Sequence, residues 1–168
     1  MIQRVPIILL LLCLPLGACG SMGQTHWSSV YRQDVHTVAV PIFANKDYRT
    51  GVEFQLSEAL VKDIEEFTPY KVVPRERADT VLEGEIVAIR TITITLDPNT
   101  ATPQQQEYDI SVNFTWKDLH TGKILVQRRN FEQAASYYPT LGEGQYVASQ
   151  NSVQRLAQGI VNEMESEW

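Results

Sequence analysis

The sequence predicts an α+β protein: a two-layer sandwich of two α-helices packed on one face of a mixed, mostly antiparallel sheet of four to five strands. Three observations favour this fold class. Two segments carry a single apolar stripe at three- and four-residue steps, as helices that cover a core do. Three long segments have the alternation or the β-branched content of strands. The order β-α-β-β-β-β-α gives each layer one apolar face to bury against the other.

The domain is predicted to span residues 35–168 and to begin with the strand VHTVAVPIF (35–43). This strand is apolar on both sides, with Val38, Val40 and Ile42 on one and Ala39 and Phe43 on the other, which suits an interior position. The next segment, 50–67, predicts a helix with the stripe Val52, Leu56, Ala59, Leu60, Ile64 and Phe67. YKVV (70–73) predicts a short strand, and PRERAD (74–79) predicts a turn.

Three long β segments follow, at 80–96, 108–119 and 124–138. The second alternates most regularly, with an apolar row (Tyr108, Ile110, Val112, Phe114, Trp116) and a polar row (Asp109, Ser111, Asn113, Thr115, Lys117). This pattern predicts a sheet with one face in a core and one face in water. The stretch 99–107 reads as a loop, and 146–165 as a second helix with the stripe Val153, Leu156, Ala157, Ile160, Val161 and Met164.

The first eighteen residues predict an export signal that is later removed. A basic residue, Arg4, precedes an apolar run of about ten residues, which is half the length needed to cross a hydrocarbon core. Leu16-Gly17-Ala18-Cys19 resembles the lipobox of bacterial lipoprotein precursors, and this resemblance implies lipidation of Cys19. The alternative is an ordinary secretory peptide cut near Ala18. Cys13 is expected to leave with the signal, so the mature chain would have no disulfide.

Residues 19–34 are predicted to be the acylated cysteine and a polar tether. Stable anchoring takes more than one acyl chain, and the lipobox implies three. Gly20 follows the cysteine instead of aspartate, which in such lipoproteins implies the periplasmic face of the outer membrane. Trp27 and Tyr31 either dock on the domain, the interpretation we favour, or lie at the membrane interface.

Five basic residues fall on the long β segments or their turn, and they are the candidate ligands of an anionic glycolipid: Arg90, Lys117, Lys123, Arg128 and Arg129. Arginine forks suit phosphate oxygens. The alternative is ordinary solvated sheet charge. Arg90 shares its parity with Ile86 and Ile92, so it either marks a bulge or points toward the core.

No enzyme class is indicated. The three histidines are scattered without ligand spacing, and neither a phosphate-binding glycine loop nor a nucleophile elbow is present. We therefore expect no catalytic residue, no metal and no cofactor. The formal net charge of −6 makes nucleic-acid binding a poor expectation, because that function needs a basic face.

The lipobox, the spacer, the strand–helix–strand stretch TVAVPIF…YKVV, ADTVLEGEIV and the hairpin WKDLHTGKILVQRRNF together resemble the LptE family of lipopolysaccharide-assembly lipoproteins. The resemblance runs from about His36 to the C-terminus. It implies an outer-membrane lipoprotein that sits inside a large β-barrel, LptD, and helps to deliver lipopolysaccharide to the cell surface. No lipopolysaccharide-contacting residue is carried over from the family.

We therefore predict a non-enzymatic lipoprotein that acts as plug and assembly partner of an LptD-type barrel, with outer-membrane lipid, the barrel and lipopolysaccharide as partners. The alternative is a lipid-anchored scaffold or binding domain of another envelope complex.

Overall fold

The computed structural model describes residues 30–165. Cys13, Cys19 and Trp27 lie outside them, together with the predicted signal and most of the predicted tether. Two helices form one layer, α1 (Val52–Phe67) and α2 (Gln145–Asn162). The predicted stripes are buried as expected, except that Phe67 is exposed and Ala59 is half-buried. No helix within residues 30–165 is long and apolar enough to span a membrane.

The two helices run in the same direction and meet at one buried carboxylate. Asp63 of α1 is 1% exposed, and both of its oxygens lie 2.9 Å from Nε2 of Gln154 on α2. Burial raises the pKa of Asp63, because a charge is disfavoured away from water; the amide of Gln154 opposes that shift. Asp63 is thus a buried charged group through which α1 contacts α2 directly.

The second layer is a sheet of six strands: β1 (Thr37–Ala39), β2 (Ala44–Asn45), β3 (Lys71–Val72), β4 (Thr80–Leu96), β5 (Pro103–Asp118) and β6 (Ile124–Tyr137). The order is β3-β1-β4-β5-β6, and β2 also pairs with β4. The short strands pair in parallel, whereas the three long strands pair antiparallel. The predicted sandwich is confirmed, with more strands than the four to five expected.

The extra strand arises because the predicted first strand is broken. Pro41 has no amide hydrogen to donate to a ladder, and the chain pairs with β4 before it as β1 and after it as β2. The break changes which side chains face the helices. Val38 and Phe43, five residues apart, both lie in the main core, whereas Ile42 is exposed. The prediction of one interior strand buried on both sides was therefore wrong at Ile42.

The long strands are more irregular than predicted, and β5 begins earlier than predicted. β5 starts at Pro103, so the loop expected over 99–107 is shorter, since its second half pairs with β4 and β6. A register shift lies between Ile86 and Ala88 on β4. This bulge adds one residue and places Arg90 beside Asp109, on the sheet face away from the helices. Of the two interpretations of Arg90, the bulge is therefore the right one.

The N-terminal end of the described chain is fixed to one end of the sandwich. The Tyr31 ring packs edge-on against Tyr70 at 5.9 Å, and Tyr70 in turn packs against Trp116. The backbone N–H of Arg32 donates to the Tyr70 hydroxyl at 2.9 Å, and Tyr31 bridges to Glu165 beyond α2. Tyr31 thus docks on the domain as favoured, and the docked end coincides with the C-terminal end of α2.

Candidate functional site

The sheet face opposite the helices is polar and largely open. It contains a groove of about 580 Å³ whose polar lining comes from β4, β5 and β6: Glu83, Glu85, Asn113, Thr115, Gln127, Arg128 and Arg129. A small apolar cluster of Ala39, Ala78 and Val81 closes this face at the end near β1. The groove is therefore a polar, bounded surface, on the side of the sheet that the helices leave uncovered.

Ion pairs and hydrogen bonds connect the side chains on the floor of the groove. Glu85 accepts from the Lys46 ammonium at 2.7 Å and from the Asn113 amide at 3.0 Å. The Lys46 contact, followed by that of Asn113, holds the pKa of Glu85 below its usual range. Glu83 pairs with Arg75 at 3.1 Å. Both glutamates are thus paired with a cationic side chain, which argues against a proton-transfer role.

Asn113 also shapes the strand that carries Arg129. The register of β5 and β6 shifts here, because Val112 faces Phe131 while Phe114 faces Arg128, so β6 holds one extra residue. Asn130 takes a left-handed conformation (φ 50°) in this bulge, a conformation that asparagine tolerates better than most residues. Oδ1 of Asn113 accepts from the Asn130 backbone N–H at 2.9 Å. The amide of Asn113 therefore supports the bulge that presents Arg129 to the groove.

Not every side chain in the polar row of β5 is exposed to solvent, contrary to the expectation from its alternation. Asp109 is 7% exposed and Ser111 is 2% exposed. The Arg90 guanidinium lies 3.9 Å from Asp109 and also 3.9 Å from Glu132 on β6, so its side chain crosses over β5. Burial and then the charge of Glu132 raise the pKa of Asp109, while Arg90 opposes them. The open part of the row is Asn113, Thr115 and Lys117.

The five candidate basic residues do not form one cluster. Arg90 lies opposite Asp109 in the register of β4 and β5. Asp109 is eight residues from Lys117 along β5, a distance of about 26 Å. Arg128 also borders the groove, but its guanidinium is paired with Glu163 at the end of α2 at 2.5 Å. Lys123 is exposed in the turn between β5 and β6, and Lys117 lies on the polar face. Arg129 lines the groove, and no ion pair of it is found within residues 30–165.

The side chains that commonly bind metal ions do not cluster in the described part of the chain. Residues 30–165 contain no group of three histidine, cysteine, aspartate or glutamate side chains placed to hold a metal ion. The His120 ring lies 3.5 Å from Asp79, but Asp79 is engaged by the backbone N–H groups of His36 and Thr37. That carboxylate joins chain segments at the docked end and serves a structural purpose.

Three of the groove residues escaped the reasoning from sequence, namely Glu83, Glu85 and Gln127, whereas Asn113 and Thr115 belong to the predicted polar row of β5. Glu83 and Glu85 have the sequence pattern of ordinary strand charges, and nothing in the sequence distinguishes Gln127. Their shared parity with the polar row of β5 was the available signal. The bulges that decide which of them face the groove leave no mark in the residue pattern.

Comparison with known proteins bears on this geometry. The sequence matches the LptE family, described as lipopolysaccharide-assembly, over residues 35–164. This chain belongs to the LptE family. No curated protein matches this LptE chain significantly in sequence.

Solved structures resemble the LptE chain at low identity and therefore show the fold alone. Lipoprotein B from Nitrosomonas europaea is 14% identical with a TM-score of 0.55, over 78% of this chain and 83% of that one. Rare lipoprotein B from Shewanella oneidensis is 16% identical with a TM-score of 0.52, over 77% and 93%. The PelC dodecamer from Paraburkholderia phytofirmans is 13% identical with a TM-score of 0.54, over 81% and 93%.

Proposed function

We propose that this LptE-family protein is a non-catalytic lipoprotein of the outer membrane that plugs an LptD-type β-barrel and assists its assembly. The observation that carries the proposal is the open polar groove, on a sheet whose other face is covered by two helices. A face rich in charged, amide and hydroxyl groups suits the polar interior of a large barrel. It would be costly to press against lipid, because unsatisfied polar groups are disfavoured there.

The proposed anchor restricts where the groove can lie. Ten residues separate Cys19 from Val30, and such a segment reaches at most about 35 Å. The docked Tyr31 fixes the point at which that segment enters the domain. Lipidated Cys19 would therefore hold one defined end of the sandwich near the inner leaflet and raise its effective concentration at the barrel.

Crosslinking tests the plug. Photo-crosslinkers at Thr115 and Gln127, which face each other across β5 and β6 in the groove, are expected to trap a much larger membrane protein with one-to-one stoichiometry. A crosslinker at Glu58, exposed on α1, is the comparison on the helix layer and is expected to trap less of it. Capture of only soluble periplasmic proteins at the groove positions would favour the scaffold alternative.

A second part of the proposal is that basic groups of the polar face bind phosphates of lipopolysaccharide. Arg129 and Lys117 support it, because both belong to this face and Arg129 lines the groove. Substituting both with alanine is expected to weaken lipopolysaccharide binding on the order of tenfold, as loss of charge-assisted hydrogen bonds does. The remaining binding should also fall less steeply with salt, because fewer screened charges contribute.

Arg128→Ala is the matched control for that pair. It removes the same charge from the neighbouring residue, which also borders the groove but whose guanidinium is paired with Glu163 at the end of α2. Binding should stay close to that of the unchanged protein. Equal loss in the control, or an unchanged salt response in the double variant, would assign Arg129 and Lys117 to solvated surface charge.

A further inference from the structure

Besides the outer side of the two-residue strand β2, the sheet has three lateral edges within residues 30–165, and two of these are poorly suited to accept another strand. β3 is only two residues long, begins with Lys71 and is followed within two residues by Pro74. β6 carries several charges and is interrupted by the left-handed Asn130. Short strands, charged side chains and bulges are the usual means by which proteins keep sheet edges from pairing.

The third edge belongs to β4 and opens where β2 ends. The last residue of β4 that pairs with β2 is Ile86, and from there on β4 pairs with β5 alone. At Ile89 two side chains take the place of a strand. Oδ2 of Asp47 accepts from the Ile89 N–H at 3.1 Å, and the Arg49 guanidinium donates to the Ile89 carbonyl. The backbone groups of Ile89 therefore point away from β5.

Beyond Ile89 the edge carries no such substitute among the described residues. Backbone groups alternate in direction along an antiparallel strand, so Thr91 and Thr93, like Ile89, direct their N–H and C=O groups away from β5. The stretch Arg90–Leu96 is exposed throughout, and Thr91–Leu96 contains neither a charge nor a proline. Register shifts near Thr95 end the regular part of the edge at Thr93. We call the stretch Arg90–Leu96 the free edge.

We infer that the free edge of β4 pairs through backbone hydrogen bonds with an unpaired, uncharged strand of the barrel partner, which extends this sheet by one strand. This inference rests on the proposed function, since the partner is the barrel that the domain plugs. Backbone pairing supplies affinity without a demand on sequence, and the Thr/Ile alternation favours a strand of alternating apolar and small polar residues. The loop at Asp47 and Arg49 stops the incoming strand at Ile89.

The size of the edge argues for this occupant over a second copy of the chain. A strip about 20 Å long and one strand wide is far smaller than the ~800 Å² per partner that a stable complex of free proteins buries. Pairing at the free edge can nevertheless strengthen a complex that the groove and the lipid anchor already hold together, because the pairing is then an intramolecular step. A barrel strand that is still unpaired during assembly would be held close to the free edge in such a complex.

Hydrogen exchange tests the pairing directly, in the full-length lipoprotein alone and co-purified with the LptD-type barrel of the same organism. In the free chain the amides of Thr91 and Thr93 are expected to exchange fast, while those of Arg90 and Ile92, bonded to β5, exchange slowly. In the complex the two fast amides should slow at least tenfold. Unchanged exchange at both, with the Thr115 crosslink to the barrel intact, would overturn the edge pairing and leave the plug standing. Loss of that crosslink would remove both proposals.

Two variants of Thr93 distinguish backbone hydrogen bonding to a partner strand from simple shielding of the free edge from solvent. Thr93→Pro removes an outward N–H without taking a donor from the β4–β5 ladder, and Thr93→Val keeps that N–H. Both variants lose the Thr93 hydroxyl, which accepts a hydrogen bond from the Gln106 side chain at 3.1 Å. The two variants therefore differ from each other in the outward backbone N–H of residue 93. Protection of the Thr91 amide in the complex should be lost in the proline variant and kept in the valine variant. Protection retained in both, or protection in the free chain that grows with its concentration, would contradict the inference.

Discussion

Replacement of Cys19 by serine is expected to abolish lipid attachment and membrane retention together. The thioether that the lipobox resemblance implies needs the cysteine sulfur, and a serine hydroxyl does not form it. Labelled palmitate should be absent from the variant, and any chain that is still cut near Ala18 should appear in the soluble periplasmic fraction.

Cys13→Ser is the matched control in the same segment, because it changes the same residue type six positions earlier. Labelling and membrane retention should be unchanged there, since Cys13 is expected to leave with the signal. Palmitate on the Cys19→Ser protein would contradict the anchor, and with it the restriction that the ten-residue tether places on the groove.

Thr115→Trp is expected to leave the isolated domain folded and to block assembly with the barrel. Thr115 lines an open groove, so the indole has room in the free domain, and exposed substitutions usually change stability by about half a kcal/mol or less. Inside a barrel the same indole would collide with a packed wall, where overpacking costs about 1–3 kcal/mol. Co-purified barrel should fall several-fold and outer-membrane permeability should rise.

Thr115→Ser is the control at that position, since it keeps the hydroxyl and adds no bulk. A urea melt of both soluble domains establishes that folding is unaffected. Normal co-purification of Thr115→Trp would mean that the groove faces solvent in the complex. Ser111 is unsuitable for this test, because it is 2% exposed and a tryptophan there would damage the domain itself.

The prediction from sequence was accurate for segments in which the spacing of apolar residues is regular throughout. The stripes of α1 and α2 and the apolar row of β5 depend only on which side chains recur at helical or strand spacing, and burial of those rows follows. The bounds of β4, predicted as 80–96, are those observed. Family membership also followed from motifs along the chain, and the match over residues 35–164 agrees with it.

Prediction failed where one residue changed the phase of a strand. Pro41 separates β1 from β2 and exchanges the places of Ile42 and Phe43, and the bulge near Val87 puts Arg90 on the polar face. A side-chain alternation of period two reverses after a single extra residue, so an unseen bulge misplaces every residue after it.

By itself the sequence determined that the chain has a signal-like start, two amphipathic helices and a sheet with one polar face, because these follow from local order along the chain. Only the tertiary structure decided which polar residues share the groove, that the Arg128 guanidinium pairs with Glu163 and that the edge of β4 is open among residues 30–165. Those features depend on register between strands distant in sequence. Register is fixed by packing and bulges, and not by the composition of any one strand.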